Sequence, residues 1–426
     1  MKVLIISHLP MATKNNIGKT LLSLFSEFRK EELCQLYIYP TIPDVDRCSS
    51  YYRVTDKEAL LSLIKFKEPG KEIAKKLINK DQGLYENADD ESLYRNKKNK
   101  SALRRLMRDA VWQVSNWYNS GLKAWLEREK PTCIFVAPGA ARFVYNFALK
   151  ISKKLGIPII TYICDEYYFV KDPTTLLEGF RLKLLKNKIE ALVNNSSHLV
   201  VICEELKSAY TEKFGTQATT LMTGTSYEIS DSLKIVDDPK DICYFGNIRC
   251  NRYISLAEIG RQLDGINAEL NKDYKLKIYT SEKDKEILST FDGIRSVKLC
   301  GFVMGEAFKK AFSESHLLLH IEAFDEKSID YVKHSVSTKI ADSLASGIPL
   351  LAYGPECVSS MKHLIRNKCA ITAISEKDLR QMLLKAFNDI EAKDLAVKNA
   401  LAVAKEYHNS KETSLKLKEI VKTVSK

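Results

Sequence analysis

KHSVSTKIADSLASGIPLLAYGP, residues 333–355, reads as a loop, a short helix and a strand, and this junction decides the fold. Ser335, Ser337 and Thr338 are hydroxyl residues ahead of an apolar period at Ile340, Ala341, Leu344 and Ala345, the spacing of one helical face. The first turn of such a helix holds amides with no intrahelical acceptor, and the helix dipole adds positive charge there. An anion such as a diphosphate is attracted to that end. Asp342 stands one turn in, where a carboxylate can accept hydrogen bonds from vicinal sugar hydroxyls. Gly347 and Pro349 end the helix, and 349–353 is an apolar strand. A capped core helix alone has the same pattern, so the flanking segments must discriminate.

Outward from this stretch the chain alternates strands with helices. Residues 2–7 form a first buried strand, followed by a helical period at Leu21, Leu22, Leu24, Phe25 and Phe28. Further strands are expected at 36–39, 133–137, 159–164 and 199–203, then, after a polar stretch ending at Pro239, at 241–245, 276–279, 297–299, 317–321, 349–353 and 370–372. The pattern predicts an α/β protein with two doubly wound parallel sheets, whose ligands bind where strands end. The expected domains are 1–230, with a helical, basic insertion at about 55–130, and 231–405, with 406–426 as a helix packing back on the first.

Composition bounds the function. The chain has 426 residues, 45% hydrophobic and 28% charged, enough for two full cores. Its apolar start is too short for a signal peptide and no run reaches the ~18 apolar residues of a membrane span, so the expected place is the cytosol. Ten scattered cysteines without C-x-x-C spacing read as reduced core residues, not zinc ligands. Of the net charge of +12, about +9 precedes residue 235. It concentrates in RNKKNKSALRRLMR, 95–108, with seven basic residues, which suits an anionic membrane surface or a lipid-diphosphate acceptor, or else is a solvated helix face. Nucleic acid is not expected, since no aromatic recognition platform accompanies the charge.

The segment YFGNIRCNRY, 244–253, follows a strand; Gly246 permits close backbone approach, and Arg249 and Arg252 suit phosphate oxygens. Gly18-Lys19-Thr20 is not a P-loop, because the first glycine of that motif would fall at Thr13. Asp44-Val45-Asp46 has D-x-D spacing without a third ligand, so no metal site is expected.

With GNIRCNR at 246–252, GFV at 301–303 and DSLASGIP at 342–349, the second half resembles the donor-binding domain of GT-B glycosyltransferases, especially bacterial family 4-like enzymes. SHLVVICEELKSAYTEKFG at 197–215 followed by LMTG is similar to the end of that family's first domain. The resemblance spans most of the chain outside 55–130. It implies two Rossmann-like domains facing a central cleft, and a metal-independent glycosyl transfer from a nucleotide-diphosphate sugar, with no cofactor, retaining anomeric configuration. It implies diphosphate contacts at Arg252 and Arg249, a base-contacting loop at Val303, phosphate contacts at Ser335, Thr338 and Lys339, a ribose contact at Asp342, and Gly18 in the first β-α loop near the ligands. The family's acidic pair is reduced here to Asp342, with His334 at the first position, and its His-Asp segment reads Cys164-Asp165, leaving Asp165 as the acidic group near the reacting centre. The implied catalytic set is Asp165, Arg252 and Lys339. The implied acceptor is a glycan or lipid-linked hydroxyl in cell-surface polysaccharide synthesis, met at the inner face of the membrane. Two other readings share the pattern: a nucleotide-sugar epimerase, and a GT-B-like binding subunit without catalysis.

Overall fold

The computed structural model describes residues 1–65, 67–78, 101–169, 173, 175–225 and 227–426. Part of the expected basic segment, residues 95–100, lies outside them. The chain divides into two compact units, Met1–Thr223 with Ser410–Lys426, and Gly224–Asn409, against expected boundaries at 230 and 405.

In the first unit β1 (Val3–Ser7), β2 (Leu33–Tyr37), β3 (Ser50–Arg53), β4 (Lys71–Glu72), β5 (Cys133–Ala137), β6 (Ile159–Ile163), β7 (His198–Val201) and β8 (Ala218–Thr220) form one sheet. Its order is β4-β3-β2-β1-β5-β6-β7-β8, parallel except for the edge strand β4. Every residue of β1, β2, β5 and β6 is buried, as strands covered on both faces must be. Phe25 packs edge-on against Phe28 and Phe135, with ring centroids 4.9 and 5.0 Å away. Leu417 and Val421, one turn apart on the helix Ser410–Val424, enter the same core. The last helix of the chain therefore finishes the first unit.

The second unit holds β9 (Asp241–Phe245), β10 (Lys275–Tyr279), β11 (Val297–Gly301), β12 (Leu317–Ile321), β13 (Leu350–Tyr353) and β14 (Ile371–Ala373), in the order β11-β10-β9-β12-β13-β14, all parallel. In both sheets the first strand is central and the chain later returns to its other side. That creates a switch point between β1 and β5, and another between β9 and β12, where diverging loops leave a crevice at the strand ends.

The strands the sequence reading missed, β3, β4 and β8, read Ser-Tyr-Tyr-Arg, Lys-Glu and Ala-Thr-Thr, short and without the aliphatic run that marks β13 or β14. The stretch 376–424 is three helices, Glu376–Asn388, Ile390–Tyr407 and Ser410–Val424, the second capped by Asp389 accepting from the Ala392 amide at 2.9 Å.

Candidate functional site

At the β9/β12 switch point several polar groups converge. Gly246 directly follows β9, and a Cβ there would fall 2.5 Å from the Lys339 Nζ and 3.2 Å from the Tyr244 hydroxyl. The glycine thus lets the Lys339 ammonium lie against the backbone. Four and five residues on, the chain turns through Cys250 and Asn251, both left-handed at φ 55°, before helix Arg252–Leu270 begins. Two successive non-glycine residues in that region cost roughly 1–2 kcal/mol each, strain that persists where the surroundings impose it. Here the Ser328 hydroxyl holds the Cys250 carbonyl at 3.1 Å.

That turn aims Arg252 back across the end of the sheet. Its Nε and Nη2 donate to Glu322 Oε2 at 2.9 and 2.7 Å, and the Glu322 side chain is only 5% exposed. Burial raises the Glu322 carboxyl above the usual range, against the pull of Arg252 and then Lys339. His320, two residues earlier on β12 and so on the same side of the strand, is also buried, its Nε2 3.6 Å from Glu322 Oε1. Burial, with Arg252 and Lys339 nearby, pushes its imidazole down to about 3, so the ring is neutral at ordinary pH. Sequence reasoning missed both His320 and Glu322. The available signal was an H-x-E alternation interrupting an apolar strand at its carboxyl end.

The helix Thr338–Ala345 starts beside this group. Ser337 occupies its N-cap, yet its side chain makes no capping bond, and Ile340, Ala341, Leu344 and Ala345 are the buried face, as the spacing predicts. Lys339 is exposed, while Ser335, Thr338 and His334 are half-buried around the helix start. Asp342 Oδ1 accepts from the Thr225 hydroxyl at 3.0 Å, linking the helix to the first residues of this unit.

Other expected residues stand apart. Arg249 is paired with Glu282, at 2.6 and 3.0 Å, and lies at the surface. Val303 lies in the loop after the edge strand β11, two strands away from β9. Gly18 is inside helix Asn16–Leu24 rather than in the loop before it. A Cβ there would meet the Ala12 oxygen at 2.5 Å, so close packing of its own turn accounts for the glycine. Asp44 accepts from the Thr13 amide and hydroxyl at 2.9 and 2.6 Å, and Asp46 pairs with Lys30.

The β1/β5 switch point of the first unit is built differently. His8, just after β1, has Nε2 2.9 Å from Arg108 Nη2; Arg108 in turn donates to Asp56 at 2.8 Å and lies 4.9 Å above the Phe143 ring. The Trp112 indole donates to the same Asp56 oxygen at 2.7 Å. Beside β6, Asp165 borders a cavity of about 20 Å³ lined by Tyr145, Tyr162 and Tyr210, space for a single water. Asp165 is itself exposed, and the groups crowded around it raise its carboxyl by desolvation, with the Tyr167 hydroxyl opposing the rise. Burial, then the Asp165 charge, pushes the Cys164 thiol well up, so it is no thiolate nucleophile.

No protein-family model matches the chain, and no curated protein matches it in sequence. Solved structures do. HepE of Anabaena in complex with UDP is similar over 99% of this chain and 100% of its own, with a TM-score of 0.64 and 11% identity. A sucrose-phosphate synthase of Thermosynechococcus elongatus matches over 100% and 99%, with a TM-score of 0.63 and 11% identity. A UDP-forming trehalose-phosphate synthase of Burkholderia xenovorans, in complex with glucose-6-phosphate, matches over the full length of both chains, with a TM-score of 0.60 and 10% identity. With two Rossmann-like parallel sheets and end-to-end similarity to these enzymes, the chain has the GT-B fold of glycosyltransferases.

Proposed function

We propose that the protein transfers a glycosyl group from a nucleoside-diphosphate sugar to a hydroxyl acceptor. The observation that carries this reading is the convergence of Gly246, Arg252 and Lys339 with an uncapped helix start at the switch point of the second sheet. A diphosphate is favoured by close backbone approach, fixed positive charge and the positive end of a helix dipole, and this reading rests on those three features at one strand end. Glu322 holds Arg252 through Nε and Nη2, orienting the other edge of the guanidinium, Nη1, for a phosphate oxygen.

In the transfer, the bond from the anomeric carbon to the diphosphate oxygen breaks and the acceptor oxygen bonds to that carbon, releasing its proton. Charge builds on the departing nucleoside diphosphate, so cations preorganised at that oxygen favour the transition state over the ground state. Arg252, Lys339 and the helix start take that role in this reading, in place of a divalent ion. Ser335 and Thr338 would bond the phosphates and Asp342 the ribose; Thr225, which now donates to Asp342, would hold that carboxylate in place. Asp165, with its raised carboxyl, is the acidic group assigned to the acceptor side. Retention of configuration and a cell-surface glycan acceptor follow from the family resemblance.

The test is a calorimetric screen of UDP-, GDP- and other nucleotide sugars with the wild type and with Arg252→Lys and Lys339→Ala. Binding of one donor class, weakened about tenfold or more in each variant by loss of a charge-assisted phosphate contact, is the expected result. Equal affinity in all three proteins refutes the assignment. Turnover of donor to an isomeric nucleotide sugar without any acceptor would identify an epimerase instead.

A further inference from the structure

Three adjoining helices of the first unit present apolar side chains to solvent. Helix Ala102–Val114 exposes Leu103, Met107 and Val114 to 55, 60 and 69% along one stripe, while Trp112 and Asp109 are buried on another face. It packs against helix Asp56–Lys65, where Leu60 and Ile64 are exposed, and helix Leu176–Asn194, where Leu176 and Phe180 are. Apart from these helices, Met1 and Leu415 are the only large apolar side chains so exposed among the described residues of the unit. A soluble surface scatters such residues singly, whereas their concentration on one set of helices marks an interaction surface.

The charges on the same helices are sorted. The acidic side chains are engaged or turned in: Asp56 with Arg108 at 2.8 Å, Asp109 with Arg142 at 3.3 Å, Glu178 with Arg181 at 2.6 Å, Glu58 accepting from the Thr55 amide at 2.7 Å, and Glu190 from the Tyr168 hydroxyl at 2.6 Å. The exposed charged residues are all basic: Lys57, Lys65, Arg104, Lys183 and Arg105, the last also within 3.8 Å of Glu178. Leu176, 97% exposed, protrudes rather than lining a groove. Protruding apolar groups among cations, with no exposed anion among the described residues of the three helices themselves, are complementary to a fluid anionic surface, where the side chains enter the acyl boundary and Lys and Arg meet headgroups.

We propose that this three-helix face docks the protein on an anionic lipid bilayer. The proposal is independent of the donor site, because every residue it uses lies in the first unit. The full chain is centrifuged with vesicles of equal parts phosphatidylglycerol and phosphatidylcholine, and with phosphatidylcholine alone, while thermal melting reports the fold. The wild type should sediment with the anionic vesicles. Met107→Glu/Phe180→Glu, both at exposed positions, should melt like the wild type and lose about tenfold or more of that binding, since two apolar insertions become two anions. Arg104→Ala/Arg105→Ala should lose less, and added salt should reproduce its deficit. A wild type that does not sediment, or a doubly acidic variant that sediments equally, overturns the proposal. So does a wild-type dimer that Met107→Glu makes monomeric with no vesicle binding by either, which would make the face an interface between copies of the chain.

Discussion

The two switch points share a topology and differ in how their charge is held. In the second unit Arg252, Glu322 and His320 are gathered at the ends of adjacent strands and largely removed from water. In the first unit the corresponding place is occupied by His8, Arg108 and Asp56, in which the ion pair keeps 34 and 26% of its side-chain surface. Low dielectric strengthens the first group and makes it intolerant of a missing partner, while water screens the second. The same sheet order can therefore support a buried, tightly paired charge cluster in one unit and a more hydrated one in the other.

The largest expected effect breaks the buried pair. Arg252→Ala leaves Glu322 without its counterion and should destabilise the protein by ~3 kcal/mol or more in denaturant unfolding; Arg252→Ala/Glu322→Gln should recover most of it. A single variant within about 1 kcal/mol of wild type would mean that the two switch points are energetically alike. At the first unit, Asp56→Ala removes the acceptor of both Arg108 and Trp112 and should cost about 1–2 kcal/mol, a smaller loss because solvent can hydrate what is left. If it exceeds the Arg252→Ala loss, the contrast is reversed.

The smallest effect concerns acid. Burial, then His408 and Arg366, push His363 down to about 3 from the ordinary 6.5, with its Nε2 3.1 Å from His408 Nε2 and Asn367 beside Nδ1. A histidine neutral in the fold but protonated in the unfolded chain contributes stability that is complete above 6.5 and is lost as pH falls toward 3. Lowering the pH from 7 to 5.5 should therefore cost about 1 kcal/mol through this residue. His363→Gln should flatten that part of the stability profile. A pH slope unchanged by the substitution would remove His363 from the account of acid sensitivity.

Much of the second unit's site was legible because its parts lie close together in sequence. The five residues between Gly246 and Arg252 span one loop, and the period after Thr338 marks a helix start, so local geometry alone links each to a strand end. Glu322 escaped because its partner is 70 residues away, and the H-x-E alternation at the strand end marks polar residues without saying what they pair with. Gly18 was placed in a loop because a glycine near a turn signals backbone freedom, whereas here it reflects a close approach to Ala12. In the first unit His8 and Arg108 are 100 residues apart and Asp56 lies 52 from Arg108, so no spacing rule connects them.

By itself the sequence determined the alternation of strands and helices and the apolar faces that bury them, since periodicity and backbone chemistry act over a few residues. Tertiary structure decided which charges meet and that Arg252 is clasped by Glu322. It also turned the apolar stripe of 102–114 outward. These outcomes depend on strand order and on which surfaces remain after packing, and both are set by contacts between residues distant along the chain.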